Sequence, residues 1–226
     1  MPRFRFTFLV FLLSFLLCPV LCAAEPLSAP QAEELLRAHF FRTRPNTDPT
    51  YTFTLTDRTT DEIWQNLGAQ VFQIKDAGFQ NGCGVLIKQG QVHWLGGCTG
   101  GVGLLSLAVA DVNKDRSPEL YYSYSFGSGL QRCEIGVYSE RNAKAQTVGW
   151  KDAYLGDLFL EKTDAQTVLV QIRPYDAAKS GWGPVAATLG KIIFRQKLSG
   201  PSVKVRQDPK LPKELRDNLW SRSFPK

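Results

Sequence analysis

The 226-residue sequence predicts a mainly β fold, α+β at its N-terminus: an antiparallel β-sheet or sandwich preceded by two short helices and followed by a short C-terminal helix. Three observations predict it. From Ala69 onward, nine short segments are apolar, aromatic or alternating: 71–74, 85–88, 92–95, 104–110, 120–125, 134–139, 154–160, 167–173 and 187–196. Most connections between them are short and rich in Gly, Asn, Asp or Lys, the residues of turns. No stretch of helical period lies between the strands, so parallel crossovers have nothing to be made of and the pairing should be antiparallel.

In chain order, Arg3 and Arg5 precede an almost uninterrupted apolar run at 6–17, and the small pair Ala23-Ala24 follows. This is the layout of a secretory signal, with cleavage expected after Ala24 and a secreted or periplasmic, soluble product. The run is too short to span a membrane comfortably. A lipid anchor through Cys22 is the alternative. A lipobox, however, wants a small residue before its cysteine, and Leu17 and Leu21 stand before Cys18 and Cys22. The expected organisation is a signal peptide at 1–24, one β-rich domain with N-terminal helices at 25–200 and a basic tail at 201–226.

Ser28 with Gln31 forms a capping pair, and Ala32, Leu35, Leu36, His39 and Phe40 recur at helical spacing until Arg44-Pro45-Asn46. Residues 51–56 alternate like a half-buried strand. Thr59 with Glu62 then offers a second capping box, for a helix that Gly68 stops. Cys83, Cys98 and Cys133 survive signal removal, and an odd count in an oxidising compartment implies one disulfide and one thiol. Cys83 and Cys98 lie almost symmetrically about Gly90, so a hairpin turning there would bring them together; the alternative is three buried small hydrophobes.

The most informative stretch is Asp111-Val112-Asn113-Lys114-Asp115-Arg116-Ser117-Pro118-Glu119. It places oxygen ligands at alternate positions of a loop between two strand patterns. Asp111, Asn113 and Asp115, a backbone carbonyl at Ser117 and the carboxylate of Glu119 can supply the shell that calcium needs. The competing reading is a turn in which Asp111 and Asn113 bond their own backbone without metal. Together with 107–110 before it, the stretch resembles the strand, acidic loop and strand of FG-GAP and VCBS-type repeats. The continuation through Tyr121, Tyr122, Gly127 and 134–138 resembles secreted bacterial proteins carrying a single such unit. The resemblance covers the loop and its flanks; it implies a calcium-stabilised loop on an extracytoplasmic β domain and no reaction. Arg116 stands where those loops have Gly, at about 1–2 kcal/mol of backbone cost. Tyr122 stands where an EF-hand has its bidentate Glu, which excludes an EF-hand. The loop has no second copy, so a propeller is not expected.

Other candidates are weaker. The glycine-rich run 96–103 lacks the Gly-Lys-Ser/Thr ending of a phosphate loop and reads as a bulged turn. His93 and Cys98 are an odd number of residues apart, which on a strand sends them to opposite faces. His39 falls on the apolar side of its helix. Two histidines without E-x-x-H or C-x-x-C spacing argue against zinc. Tyr122, Tyr124 and Phe126 share one strand face, read as core rather than a sugar platform. The net charge of +6 concentrates in the tail, where 204–226 carry seven basic residues against three acidic, so the body is near neutral and no nucleic-acid partner is expected. The tail gives membrane contact that is weak at most. Leu211, Leu215 and Leu219 suggest a helix started by Pro212 that docks on the domain, with Pro201 and Pro209 breaking strand continuation. The expected function is non-enzymatic binding of glycan or protein at the cell envelope. The alternative is a hydrolase of an envelope or extracellular polymer, built from paired carboxylates among Asp76, Asp111, Asp115, Glu119 and Asp157. The oligomeric state is not set by the sequence.

Overall fold

The structure, a computed structural model, describes residues 25–43, 52–75, 83–96, 101–127, 132–140, 147–150, 156–197, 200–217 and 219–222. The expected signal peptide and Cys98 lie outside them.

Helix α1 (Ala29–Thr43) begins where the capping pair places it: the Ser28 backbone N–H and hydroxyl each donate to Gln31 Oε1 at 2.8 Å. Its buried residues Ala32, Leu36 and Phe40 recur every four positions. Strand β1 is Thr54–Asp57 and helix α2 is Asp61–Leu67. The cap of α2 is Thr60, one residue later than expected, with Thr60 Oγ1 accepting the Ile63 N–H at 3.3 Å. Thr59 is taken by the neighbouring strand, its hydroxyl oxygen accepting the Val71 N–H at 3.0 Å. Gly68 closes α2 in the left-handed region, as its position predicts.

The rest is β, and every pairing is antiparallel. The first sheet has order β1-β2-β3-β4, with β2 Ala69–Lys75, β3 Cys83–Lys88 and β4 Gln91–Leu95. The central sheet has order β15-β8-β7-β6-β5, with β5 Gly103–Ala110, β6 Glu119–Phe126, β7 Arg132–Tyr138, β8 Thr147–Trp150 and β15 Leu219–Arg222. The third has order β14-β13-β10-β9, with β9 Asp157–Asp164, β10 Thr167–Arg173, β13 Ala187–Lys197 and β14 Gly200–Gln207. A ribbon of β11 (Tyr175–Asp176) and β12 (Gly181–Trp182) follows β10. Helix α3 (Lys213–Asp217) precedes β15.

Side-chain alternation stacks these sheets into layers. Helix α1 covers the outer face of the first sheet through Phe72, Ile74, Val85 and Ile87. The opposite face of that sheet, with Val71 and Leu86, meets Leu104, Val109, Leu120, Tyr122, Tyr124 and Tyr138 of the central sheet and Ile63 and Leu67 of α2. The other face of the central sheet, with Ala108, Tyr121, Ile135 and Val137, packs on Leu158, Val168, Val170, Ile172, Leu189, Ile192 and Phe194. The central sheet is therefore buried on both sides. Tyr122 and Tyr124 are core, as their alternation predicts.

A bulge in β5 between Leu104 and Ser106 shifts the register, setting Ser106 opposite Ser123. Their hydroxyl oxygens lie 2.6 Å apart, and the Leu160 N–H of the third sheet donates to Ser106 Oγ at 2.8 Å.

The end of the chain continues the third sheet before its short helix. Pro201 lies inside β14, opposite Gln196, because β14 is an edge strand whose outer side needs no ladder donor. Val203 is buried in the core, and Leu211 and Leu215 pack against it. The predicted helical stripe ends early: Leu219 belongs to β15, opposite Trp150. No helix of the described residues is long and apolar enough to cross a membrane.

Candidate functional site

The 111–119 loop joins β5 to β6. Its N-terminal end is fixed to the third sheet, since the Asp111 N–H donates to Ala165 O at 2.9 Å in the β9–β10 turn. From there the side chains organise the backbone. Asp111 Oδ1 accepts the Asp115 N–H at 3.0 Å and Asp111 Oδ2 the Arg116 N–H at 2.9 Å. Asn113 Oδ1 accepts the same Asp115 N–H at 3.1 Å, and Asp115 Oδ1 accepts the Ser117 N–H at 2.9 Å. Lys114 and Arg116 take φ of 63° and 68°, so Arg116 adopts the left-handed conformation for which glycine is usual. Three backbone amides, of Asp115, Arg116 and Ser117, are thereby turned inward through four bonds to the side chains of Asp111, Asn113 and Asp115.

Glu119, the first residue of β6, is buried at 3 % exposure. Asn113 Nδ2 donates to its Oε1 at 3.0 Å, and the Tyr121 hydroxyl donates to its Oε2 at 3.2 Å. Burial raises its pKa from the ordinary carboxylate range to about 7; the negative charges of Asp115 and Asp111 push the same way, against the two hydrogen bonds. Tyr121 is held well above the usual phenol range by burial and by Glu119.

The structure thus brings Asp111, Asn113, Asp115, Ser117 and Glu119 into one loop, with each carboxylate oxygen of Asp111 and Glu119 bonded to a donor. The all-oxygen donor chemistry suits a hard cation, and an ionised carboxylate that accepts one bond per oxygen keeps further lone pairs. Among the described residues, no group of three or more His, Cys, Asp or Glu side chains is gathered closely enough to hold a metal ion.

Other predicted candidates are scattered. Asp157 is enclosed between the central and third sheets, accepting from Trp182 Nε1 at 2.8 Å; burial pushes its pKa up, while bonds from Trp182 and Ser125 oppose this. Asp76 lies outside the described residues. His93 packs its ring 5.1 Å from Tyr138, and burial lowers its affinity for a proton. Cys83 is disulfide-bonded and Cys133 is a buried free thiol, raised by burial well above its usual range. Cys98, the expected partner, is among the residues not described.

Sequence reading missed Glu134. It is 2 % exposed in β7, its Oε2 receives the Tyr124 hydroxyl, and its Oε1 has no partner; the Tyr122 hydroxyl nearby is also buried and unbonded. Register could have found it, since Glu134 stands opposite Tyr124 on the aromatic face.

No protein-family model matches this chain, and no curated protein or solved structure matches it either.

Proposed function

We propose that this chain is a secreted, non-enzymatic β domain, a binding module of the cell envelope whose 111–119 loop takes calcium as a stabilising ion. The observation that carries the reading is the Asp111 carboxylate. By accepting two successive backbone amides, at 3.0 and 2.9 Å, it shapes the loop that carries Asn113 and Asp115 and leads into Glu119. Asp111, Asn113, Asp115 and Glu119 would hold the ion, with Ser117 contributing its carbonyl. Calcium would supply positive charge beside Glu119, on which the charges of Asp115 and Asp111 already press.

The export reading is supported by the arginines, apolar run and Ala23-Ala24 site of the N-terminus. The non-enzymatic reading is supported by the state of the other acids: Asp157 is bonded to Trp182 and buried, and Glu134 is buried against Tyr124. Such groups shape a core rather than meet a substrate. Thermal denaturation in calcium and in chelator tests the loop. Calcium should raise Tm, and Asp111→Ala with Asp115→Ala should abolish the rise; identical curves for the unaltered protein would overturn the calcium reading.

A further inference from the structure

A second surface feature lies on the opposite flank of the first sheet. Helix α1 buries Ala32, Leu36 and Phe40 and therefore leans its adjoining stripe over the β3–β4 turn, leaving a cleft of about 400 Å³. That is within the range of small-molecule sites, roughly 300–1,000 Å³. Leu35 of the helix and Val92 of β4 are partly buried against the layer beneath and form its apolar part. Trp94 shares the Val92 face of β4, keeps 36 % of its surface exposed and lies with its ring centroid 6.2 Å from that of His39.

The polar groups are few and of opposite character. Arg42 Nη2 reaches His39 Nδ1 at 3.3 Å; donation from the guanidinium puts the imidazole proton on Nε2. Burial, with Arg42 and His93 adding to it, holds His39 below its usual range, in keeping with a neutral ring. Glu34, two helical turns before Arg42, is exposed and has no partner among the described residues. The cleft therefore offers one carboxylate, one guanidinium and one neutral imidazole, with the exposed indole of Trp94 beside His39 at its margin.

Each class of ligand meets this set differently. An anion would face the Glu34 charge. A wholly apolar ligand would desolvate Glu34 and Arg42 without replacing their water bonds. A neutral ring with an apolar face and a rim of hydroxyls meets all of it: the face on Trp94, the hydroxyls as donors to Glu34 and acceptors from Arg42 and His39. We propose that this cleft binds a neutral pyranose unit of a glycan, stacked on Trp94 and hydrogen-bonded by Glu34, His39 and Arg42. The inference rests on the binding-module reading above and names its ligand class.

Isothermal titration calorimetry of the protein with chitotetraose and maltotetraose tests it, with dialanine as a zwitterionic control. At least one glycan should bind saturably. Trp94→Ala should weaken that binding at least tenfold and Trp94→Phe should restore most of it, while Glu34→Gln and Arg42→Ala each weaken it severalfold. All four side-chain changes lie at the surface, so Tm should stay that of the unaltered protein; if Trp94→Ala unfolds, the other variants decide. Binding by neither glycan, glycan binding untouched by Trp94→Ala, or binding of dialanine in their place would overturn the proposal. The calcium-dependent rise in Tm is read separately, so failure of the cleft and failure of the loop are told apart.

Discussion

The two faces of β6 hold neighbouring layers by opposite means. Toward the first sheet it presents Tyr122 and Tyr124, large rings 6.0 Å apart that fill the space between layers. Toward the third sheet it presents Tyr121, edge-on to Phe194, and then Ser123 and Ser125, fully buried small residues linked to it by hydrogen bonds, Ser123 through Ser106. The serine face is closed: Ser106 meets Ser123 and receives the Leu160 amide, and Ser125 bonds Asp157. The tyrosine face is not, for the Tyr122 hydroxyl and Glu134 Oε1 find no partner. At the Ser123 and Ser125 positions hydrogen-bond geometry sets the contact, and at the Tyr122 and Tyr124 positions volume does, so substitutions at these positions should sort by face.

The largest effect is expected where volume has no slack. A Cβ on Gly136 would sit 2.2–2.5 Å from the hydroxyl end of Tyr122, a fully buried ring with nowhere to retreat. Gly136→Ala should cost about 3 kcal/mol by urea denaturation, the upper part of the overpacking range. A loss below about 1 kcal/mol would show that the aromatic face is loosely packed.

On the serine face, Ser106→Ala strands the Leu160 amide, bonded at 2.8 Å, and should cost about 2 kcal/mol. Ser123→Ala leaves that bond in place and should cost less. Equal losses would mean that the hydroxyl pair, rather than the link to the third sheet, is what stabilises this interface.

Glu119 tests the rim of the same face through pH. Its folded pKa, about 7, is raised, so between the ordinary carboxylate range and that value the folded state holds a proton that the unfolded chain has released. Stability from this group is complete below the ordinary carboxylate range and declines as pH rises to about 7, by at most about 1.4 kcal/mol per pH unit. Glu119→Gln should flatten that decline in chelator. A slope unchanged by the substitution would place the titrating group elsewhere.

Much of this was legible because it is local. Alternation in 120–126 assigns Tyr122 and Tyr124 to one face, and the spacing of Asp111, Asn113 and Asp115 marks the loop. What was not legible depends on partners far along the chain. Thr59 and Thr60 offer the same cap, and only the Val71 amide, which occupies Thr59, decides between them. Strands β8 and β15 are four residues each, and the pairing of β8 on β7 and of β15 on β8, rather than their own pattern, makes them strands. Pro201 reads as a strand breaker until β14 is known to be an edge. At the loop, residue types and the turn in which Asp111 and Asn113 bond their own backbone were readable, but not the burial of Glu119. The cleft beside Trp94 needs α1 placed against β4, which no motif states.

The smallest effect is the sharpest distinction between the faces. Tyr122 is fully enclosed, and its unbonded hydroxyl carries a desolvation penalty that nothing in the interface offsets. Burial and the nearby Glu134 charge push its phenol above the usual range, so the group stays a neutral donor without an acceptor. Tyr122→Phe keeps the ring that fills the layer and removes the stranded oxygen. It should therefore leave stability unchanged or raise it by up to about 1 kcal/mol, where loss of a bonded hydroxyl would lower it by a similar amount. The end of the ring also presses on Gly136, so the shorter side chain should partly rescue Gly136→Ala in the double variant. A loss above about 1 kcal/mol in Tyr122→Phe alone would mean that the hydroxyl is bonded in solution, through an ordered water to Glu134, and that both faces of β6 are closed by hydrogen bonds.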